Sequence, residues 1–338
     1  MTRRATVRHI LLTMLRPLFV TGFGLCLLSG CATGSKEGKA TPRHGVSISQ
    51  LEDRLRIEID GQLFTEYFFK DVPRPYCYPV IGPEGSPMTR NWPMKTTPNE
   101  EHDHPHHRSL WFAHGSINGH DFWSEEKDYG KTVHVAFTEI KSGRKMGEIK
   151  SRNNWVTHEG KVVLTDDRLL RIYEPAAPSE RVFDFEITLH ASNGPLTFGD
   201  TKEGTMAMRL AETMRLKGPV GRGHIVNSEG VRDDQTWGKR ADWCDYYGPV
   251  NGKIVGVAIF DHPQNPRHPT WWHVRDYGLF AANPFGRHDF EKLSDKTAGD
   301  LTIPAGSDLR FRYRFYLHEG DEKQARVAER YQEYAATK

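Results

Sequence analysis

A surplus of basic charge, long apolar stretches and helical periodicity are all scarce in this sequence. Its 46 lysines and arginines face 44 aspartates and glutamates, a formal net charge of +2. Nothing in that balance resembles the basic stripe of a nucleic-acid binder. Only one apolar run approaches membrane-spanning length, at the extreme N-terminus, and mean hydropathy is −0.64. A polytopic membrane protein is therefore excluded. No repeat of fixed period is found, which argues against a solenoid or propeller. Three signatures are missing: the phosphate-binding Gly-x-x-x-x-Gly-Lys-Ser/Thr, a Rossmann glycine pattern and a Gly-x-Ser-x-Gly elbow. Cytochrome-like and zinc-finger Cys/His spacings are missing as well. What remains, with 37% hydrophobic and 27% charged residues, is an ordinary globular composition.

The first 30 residues read as an address. Arg3, Arg4, Arg8 and Arg16 precede the apolar segment Leu18–Leu28, and Leu28-Ser29-Gly30-Cys31 follows. A basic leader, a short apolar stretch and small residues before the break describe a secretory signal. The Leu-Ser-Gly-Cys ending resembles a bacterial lipobox, which implies cleavage before Cys31 and lipidation of its thiol. The expectation is an exported lipoprotein anchored in the cell envelope. Removing residues 1–30 takes away four Arg and no acid, leaving −2 in place of +2. Residues 31–45 are small, polar and charged, and read as a flexible tether. Two of the four cysteines, Cys77 and Cys244, stay in the folded part. One disulfide or two buried thiols fit equally.

Residues 46–338 carry mostly the period of strands. Leu55-Arg-Ile57-Glu-Ile59 alternates, Asp60-Gly61 turns, and Leu63 to Phe69 returns, a hairpin pattern. Val182–Leu189, Met206–Leu210, Ile254–Phe260 and Leu309–Leu317 alternate too, the last with Arg on one face that must be solvated or paired with acids. Only the C-terminus looks helical, with Ala325, Val327, Ala328, Tyr331 and Tyr334 as its apolar stripe. The expected fold is mostly β: one large antiparallel β-sandwich over 46–338 with a short C-terminal helix.

Seven of 17 histidines lie between His102 and His134, concentrated in Glu101-His-Asp-His-Pro-His-His-Arg-Ser109. Pro105 argues against a regular strand there. Imidazole both ligates metals and moves protons near neutral pH. A divalent metal on His104, His106 and His107 is one reading, acid–base or ligand-contacting histidines another, and solvated loop histidines a third. No cofactor is assigned. Downstream, Trp111, Phe112, Phe122 and Trp123 fit either core or a sugar-stacking wall. Gly199-Asp-Thr-Lys-Glu-Gly204 sets Asp200 and Glu203 three residues apart between glycines, candidates for general acid and base. The stretch 261–275 holds His262, Trp271, His273 and Arg275, stiffened by Pro263, Pro266 and Pro269. Asn283-Pro284 marks a turn.

Several of these strings together, Arg74-Pro-Tyr76, Tyr78-Pro-Val80, Met88-Thr-Arg90, Asp103–Phe112, Gly199–Gly204, Asp261-His-Pro263 and Ala282–Gly286, resemble the PmoA-like family of exported bacterial proteins. The family label borrows the name of a methane monooxygenase subunit, a multi-span membrane protein. This sequence shows no spanning segment after residue 30, so that activity is set aside. The resemblance implies a galactose-mutarotase-like β-supersandwich and a saccharide as partner; a fold alone fixes no reaction.

The favoured expectation is a lipoprotein that binds and transforms a saccharide by hydrolysis, elimination or epimerisation. His104, His107, Asp200, Glu203 and His273 are the acid–base candidates. Arg108, Trp111, His262, Trp271, Arg275 and Asn283 are the substrate contacts. The alternatives are a noncatalytic saccharide-binding lipoprotein and a metal-dependent oxygenase built on His104, Asp103 and His107.

Overall fold

Alternation decides the architecture. In the computed structural model, which describes residues 44–338, the patterned segments are strands and pair into two large antiparallel sheets. The expected signal, the lipidation site Cys31 and nearly all of the tether fall on residues outside that range. The first hairpin joins Arg54–Ile59 to Gln62–Phe68 through Asp60 and Gly61, both at positive φ (52° and 74°). That conformation matches the right-handed twist of the flanking strands.

The first sheet has nine strands. Their spatial order is Val46–Gln50, Arg54–Ile59, Gln62–Phe68, Tyr76–Cys77, Leu110–His114, Gly204–Arg209, Leu279–Asn283, Thr270–Val274 and Arg240–Ala241. The second has eight, in the order His224–Asn227, Trp243–Val250, Lys253–Asp261, Asp308–Glu319, Glu180–His190, Val162–Tyr173, Met146–Val156 and Lys131–Lys141. Leu110, Phe112, Met206, Met208, Trp272 and Phe280 of the first sheet share one buried cluster with Phe183, Phe185, Ile187, Val257, Phe311 and Phe315 of the second. The expected β-sandwich is therefore present, with its main core between the sheets.

The arginines of the strand Asp308–Glu319 face away from that core; two pair with acids, while the buried Arg312 has no carboxylate partner among the described residues and donates to Gln264 Oε1 and the Lys338 carbonyl. Arg314 Nε donates to Asp184 at 2.6 Å, and Arg310 pairs with Glu186. The C-terminal helix, Val327–Ala335, lies over the outer face of the eight-stranded sheet. Ala325, Val327, Tyr331 and Tyr334 pack there with Phe260 and Tyr316, while Ala328 is exposed. Cys77 and Cys244 are both free and buried, one in each sheet. Burial pushes the Cys77 thiol up to about 12.

One buried ion pair ties the second sheet to pH. His318 Nε2 lies 3.1 Å from Asp245 Oδ1, both almost fully buried. Burial works against the imidazolium, but the charge and hydrogen bond of Asp245 outweigh it, so His318 titrates above its ordinary value. The stabilisation is complete below the unfolded pKa of about 6.5 and is lost as pH rises through the folded value. His106, His107, His114 and His273 titrate below their ordinary value and pull the other way, so the pair is read as a difference. Asp245→Asn should lower stability by about 3 kcal/mol at pH 6, and that loss should shrink as pH climbs past about 6.5. A loss in urea unfolding that is the same at pH 6 and pH 9 would remove the pair from the account.

Candidate active site on the outer face of the nine-stranded sheet

The nine-stranded sheet carries a second buried cluster on the face turned away from the core. It contains Tyr76, Trp111, Ala113, Trp123, Ala207, Leu279 and Ala281. Alternation puts them there: Phe112, Met206 and Phe280 point inward, so Trp111, Ala207 and Ala281 point outward. Strand register then aligns Tyr76, Trp111, Ala207, Ala281 and His273 as direct cross-strand partners, one per strand. Trp111 and His273 stand three strand spacings apart, about 14 Å, and two alanines lie between them. A row with large side chains at both ends and methyl groups in its middle forms a trough in the sheet surface, and the groups packed over it leave Trp111, Ala207, Ala281 and His273 buried.

One wall of the trough is the histidine loop. Residues 101–109 form no strand, and His104 and Ser109 adopt positive φ (41° and 61°). Three fully buried arginines hold this irregular backbone. Arg90 pairs with Asp103 and donates to the carbonyls of Asp103 and His104 at 3.0 and 3.2 Å. Arg209 donates to both Asp103 oxygens at 2.9 and 3.0 Å and to His107 Nδ1 at 3.1 Å. Arg74 donates to Glu125 at 2.8 Å and to the carbonyls of Phe122 and Trp123, both at 2.9 Å. The rings then stack: His104 lies parallel to His107 at 4.7 Å and to Tyr277 at 5.1 Å, and His107 lies over Trp111 at 5.3 Å.

These neighbours set the protonation of the site. Burial, reinforced by the charge of Arg74 and by His104, pushes His106 down to about 4. Burial, with His106 and Arg209 beside it, holds His107 well below its ordinary value. Burial pushes His273 down to about 3, against the hydrogen bond it gives to Lys202. All three are neutral imidazoles at neutral pH. Desolvation pulls Asp103 the other way, but the hydrogen bond from His104 and the charges of Arg209 and Arg90 prevail and keep it a carboxylate.

The hydrogen bonds also fix tautomers. Arg209 has only protons to offer, so His107 Nδ1 is an acceptor and its Nε2 carries the hydrogen. His273 Nδ1 lies 2.5 Å from the Lys202 carbonyl and donates to it, which leaves Nε2 with a lone pair. The trough is thus bordered by an imidazole N–H on the Trp111 side and an imidazole lone pair on the far side. The half-buried Glu203, whose charge acts on both His106 and Tyr277, supplies a carboxylate. Gly115 makes room for it: a Cβ there would come within 2.9 Å of the Glu203 Cβ. Arg275, half-buried and stacked over Trp237 and Tyr277, has no carboxylate partner among the described residues. The indole N–H groups of Trp111 and Trp123 are buried without a hydrogen-bond partner.

Six of the expected residues, His104, His107, Glu203, His273, Trp111 and Arg275, therefore meet on one face. The others are employed elsewhere. Asp200 is a brace: it accepts the backbone N–H groups of His288 and Gly299 and pairs with the His288 ring. His262 belongs to the eight-stranded sheet and the C-terminus, where Nε2 meets the Thr337 carbonyl and Nδ1 accepts from Gln264. Arg108 is neutralised by a two-oxygen pairing with Glu125. Asn283 is bound to the Thr201 carbonyl and the Phe285 N–H. Trp271 stays on the same face but at its edge, beneath Arg240.

The expected metal set does not fit. His104, His106 and His107 stack or cross as rings, Asp103 is taken by two guanidiniums, and Arg209 occupies His107 Nδ1. Among the described residues no group of three or more His, Cys, Asp or Glu is placed to hold a metal ion. Sequence reasoning overlooked Arg209 and Tyr277. The outward position of Arg209, two residues beyond Ala207, was readable from alternation; the stacking of Tyr277 on His104 carried no local signal.

A family model described as a family of unknown function (DUF6807) matches residues 54–332. No curated protein matches the chain by sequence. Among solved structures, a galactose mutarotase related enzyme from Lactobacillus acidophilus is 7% identical, with 82% of this chain and 97% of that one covered and a TM-score of 0.24. A candidate aldose 1-epimerase from Escherichia coli K12 is 9% identical, with coverage of 82% and 100% and a TM-score of 0.27. At those TM-scores the likeness decides neither fold nor activity.

Arg90→Met should cost about 3 kcal/mol, because it strips one cation from a buried cluster. In hydrogen–deuterium exchange, amides of residues 101–109 should exchange faster while the strand Glu180–His190 keeps its protection. Unchanged exchange in 101–109 would mean that the arginines do not hold the loop.

Proposed function

The chain belongs to the DUF6807 family, whose function is unknown, and we propose that it binds a saccharide across this trough and transforms it by proton transfer. The carrying observation is the pair of imidazole nitrogens of opposite hydrogen-bonding sense, His107 Nε2–H and the His273 Nε2 lone pair, at the two ends of the buried row Trp111–Ala207–Ala281–His273. A sugar offers hydroxyls that both donate and accept. In this reading His107 Nε2–H donates to one substrate oxygen, His273 Nε2 accepts from a hydroxyl, and the half-buried Tyr277 and Trp237 supply aromatic surface beside them. Glu203 is the proton acceptor: it is half-buried, has no arginine partner among the described residues and meets only the part-exposed Lys202 ammonium. Hydrolysis, elimination and epimerisation all need such a group. The resemblance of Asp103–Phe112 and Gly199–Gly204 to PmoA-like proteins supports the same substrate class. The N-terminal lipobox supports an exported, lipid-anchored setting.

Incubation of the full-length protein with oligosaccharide pools, read by mass spectrometry, tests the reaction. Glu203→Gln should lower turnover on the substrate found by about 10²- to 10⁴-fold and leave binding within a few-fold. Turnover should also fall as pH drops through about 3, where His273 takes up a proton and loses its acceptor lone pair. Binding with no product in any pool would replace the enzyme reading with a saccharide-holding lipoprotein. The anchor has its own test: Cys31→Ser should move the protein from the membrane fraction to the soluble one.

A further inference from the structure

The edge of the same face holds a second concavity, of about 340 Å³, around Trp271 and between Arg240, Arg267, Arg287 and Glu291. Its position is fixed by register. Arg240 on the outermost strand is the direct cross-strand partner of Trp271, so both point to the face that carries His273. Trp271 and His273 are two residues apart on one strand, about 7 Å. The concavity therefore adjoins the trough and does not open elsewhere on the molecule.

Its charge is lopsided. Arg240 lies over the Trp271 ring at 4.5 Å and gives hydrogen bonds only to the carbonyls of Pro269 and Arg267. Arg267 gives its hydrogen bonds to the carbonyls of Pro284, Gly299 and Asp300. Neither has a carboxylate partner within salt-bridge distance among the described residues. Burial, with the charges of Arg287 and Arg240, lowers the Arg267 pKa against the charges of Asp200 and Asp300. Asp200 is already engaged by two backbone N–H groups and His288. In the concavity, three guanidiniums confront one carboxylate, Glu291, which is shared between Arg287 and the Trp271 indole. Guanidiniums collected around an aromatic plate, with carbonyls fixing their orientation, suit a planar or tetrahedral oxyanion.

We propose that this edge concavity is a subsite for an oxyanion, a carboxylate or sulfate ester, carried by the sugar unit next to the one over Ala207 and Ala281. The substrate class then narrows to acidic oligosaccharides. The oxyanion subsite stands on its own geometry; its identification as part of a glycan site rests on the functional reading above.

Calorimetric titration of the full-length protein at low salt separates the two. The probes are trigalacturonate, a sulfated galactose trisaccharide, neutral maltotriose and inorganic sulfate. The two charged trisaccharides tell carboxylate from sulfate ester. We expect at least one charged trisaccharide to bind tenfold or more tightly than maltotriose, a preference that fades in half-molar salt. Arg240→Ala should erase about tenfold of it. Because Arg240 also holds two loop carbonyls, Glu291→Gln serves as the opposite variant: it frees Arg287 and should tighten the charged probe severalfold. Equal binding of charged and neutral trisaccharides overturns the subsite, as does a charged preference that neither variant moves. Arg240-dependent binding of inorganic sulfate with no binding of any trisaccharide supports the oxyanion subsite and overturns the saccharide reading.

Discussion

The histidine wall of this face depends on three buried guanidiniums. The loop that carries His104, His106 and His107 has no strand or helix to hold it, and two of its residues sit at positive φ. Arg74, Arg90 and Arg209 supply what secondary structure does not. A buried arginine is costly unless its donors are matched, so each one imposes geometry on its surroundings. Asp103 must sit where Arg90 and Arg209 converge, and the carbonyls of Phe122 and Trp123 must face Arg74. The loop is ordered because the alternative leaves charges unpaired in a dry place.

The same cations share in the chemistry. Burial first, then Arg74 beside His106 and both His106 and Arg209 beside His107, keep the two imidazoles unprotonated at neutral pH. Arg209 also chooses the tautomer of His107, because it can only donate. On the far side the Lys202 carbonyl makes the reverse choice for His273, because it can only accept. Two histidines of the same residue type thus present unlike atoms to the trough, and the difference comes from partners contributed by other strands and loops.

The sheets were legible in the sequence because their period is local. Alternation in Val182–Leu189 and Leu309–Leu317 marks the inward face without reference to any other segment, and the observed strands Glu180–His190 and Asp308–Glu319 contain them. The outer-face cluster was half legible. Trp111, Glu203 and His273 stood out by type, but their alignment depends on register between strands far apart in sequence. The arginine clamps were not legible at all: Arg209 meets Asp103 across 106 residues and Arg74 meets Glu125 across 51. Composition misled at His262. Its Asp-His-Pro context repeats that of residues 103–105, yet Asp261 is consumed by Asn265, His268 and the Thr270 N–H on the other side of the molecule.

Asp200 and Glu203 show how little separates a brace from a reactive group. They share one short loop and one chemical function. Asp200 lies where the chain turns into the helix Arg287–Glu291, and the N–H groups of His288 and Gly299 reach it first. Those fixed donors commit the Asp200 oxygens to the backbone. Three residues later the chain has entered the sheet beside Gly115, whose missing side chain leaves Glu203 its space. Glu203 meets only the flexible Lys202 there. The distinction lies in which carboxylate the surrounding backbone satisfies: Asp200 is held by it, and Glu203 is the one the proposed reading leaves to meet a ligand.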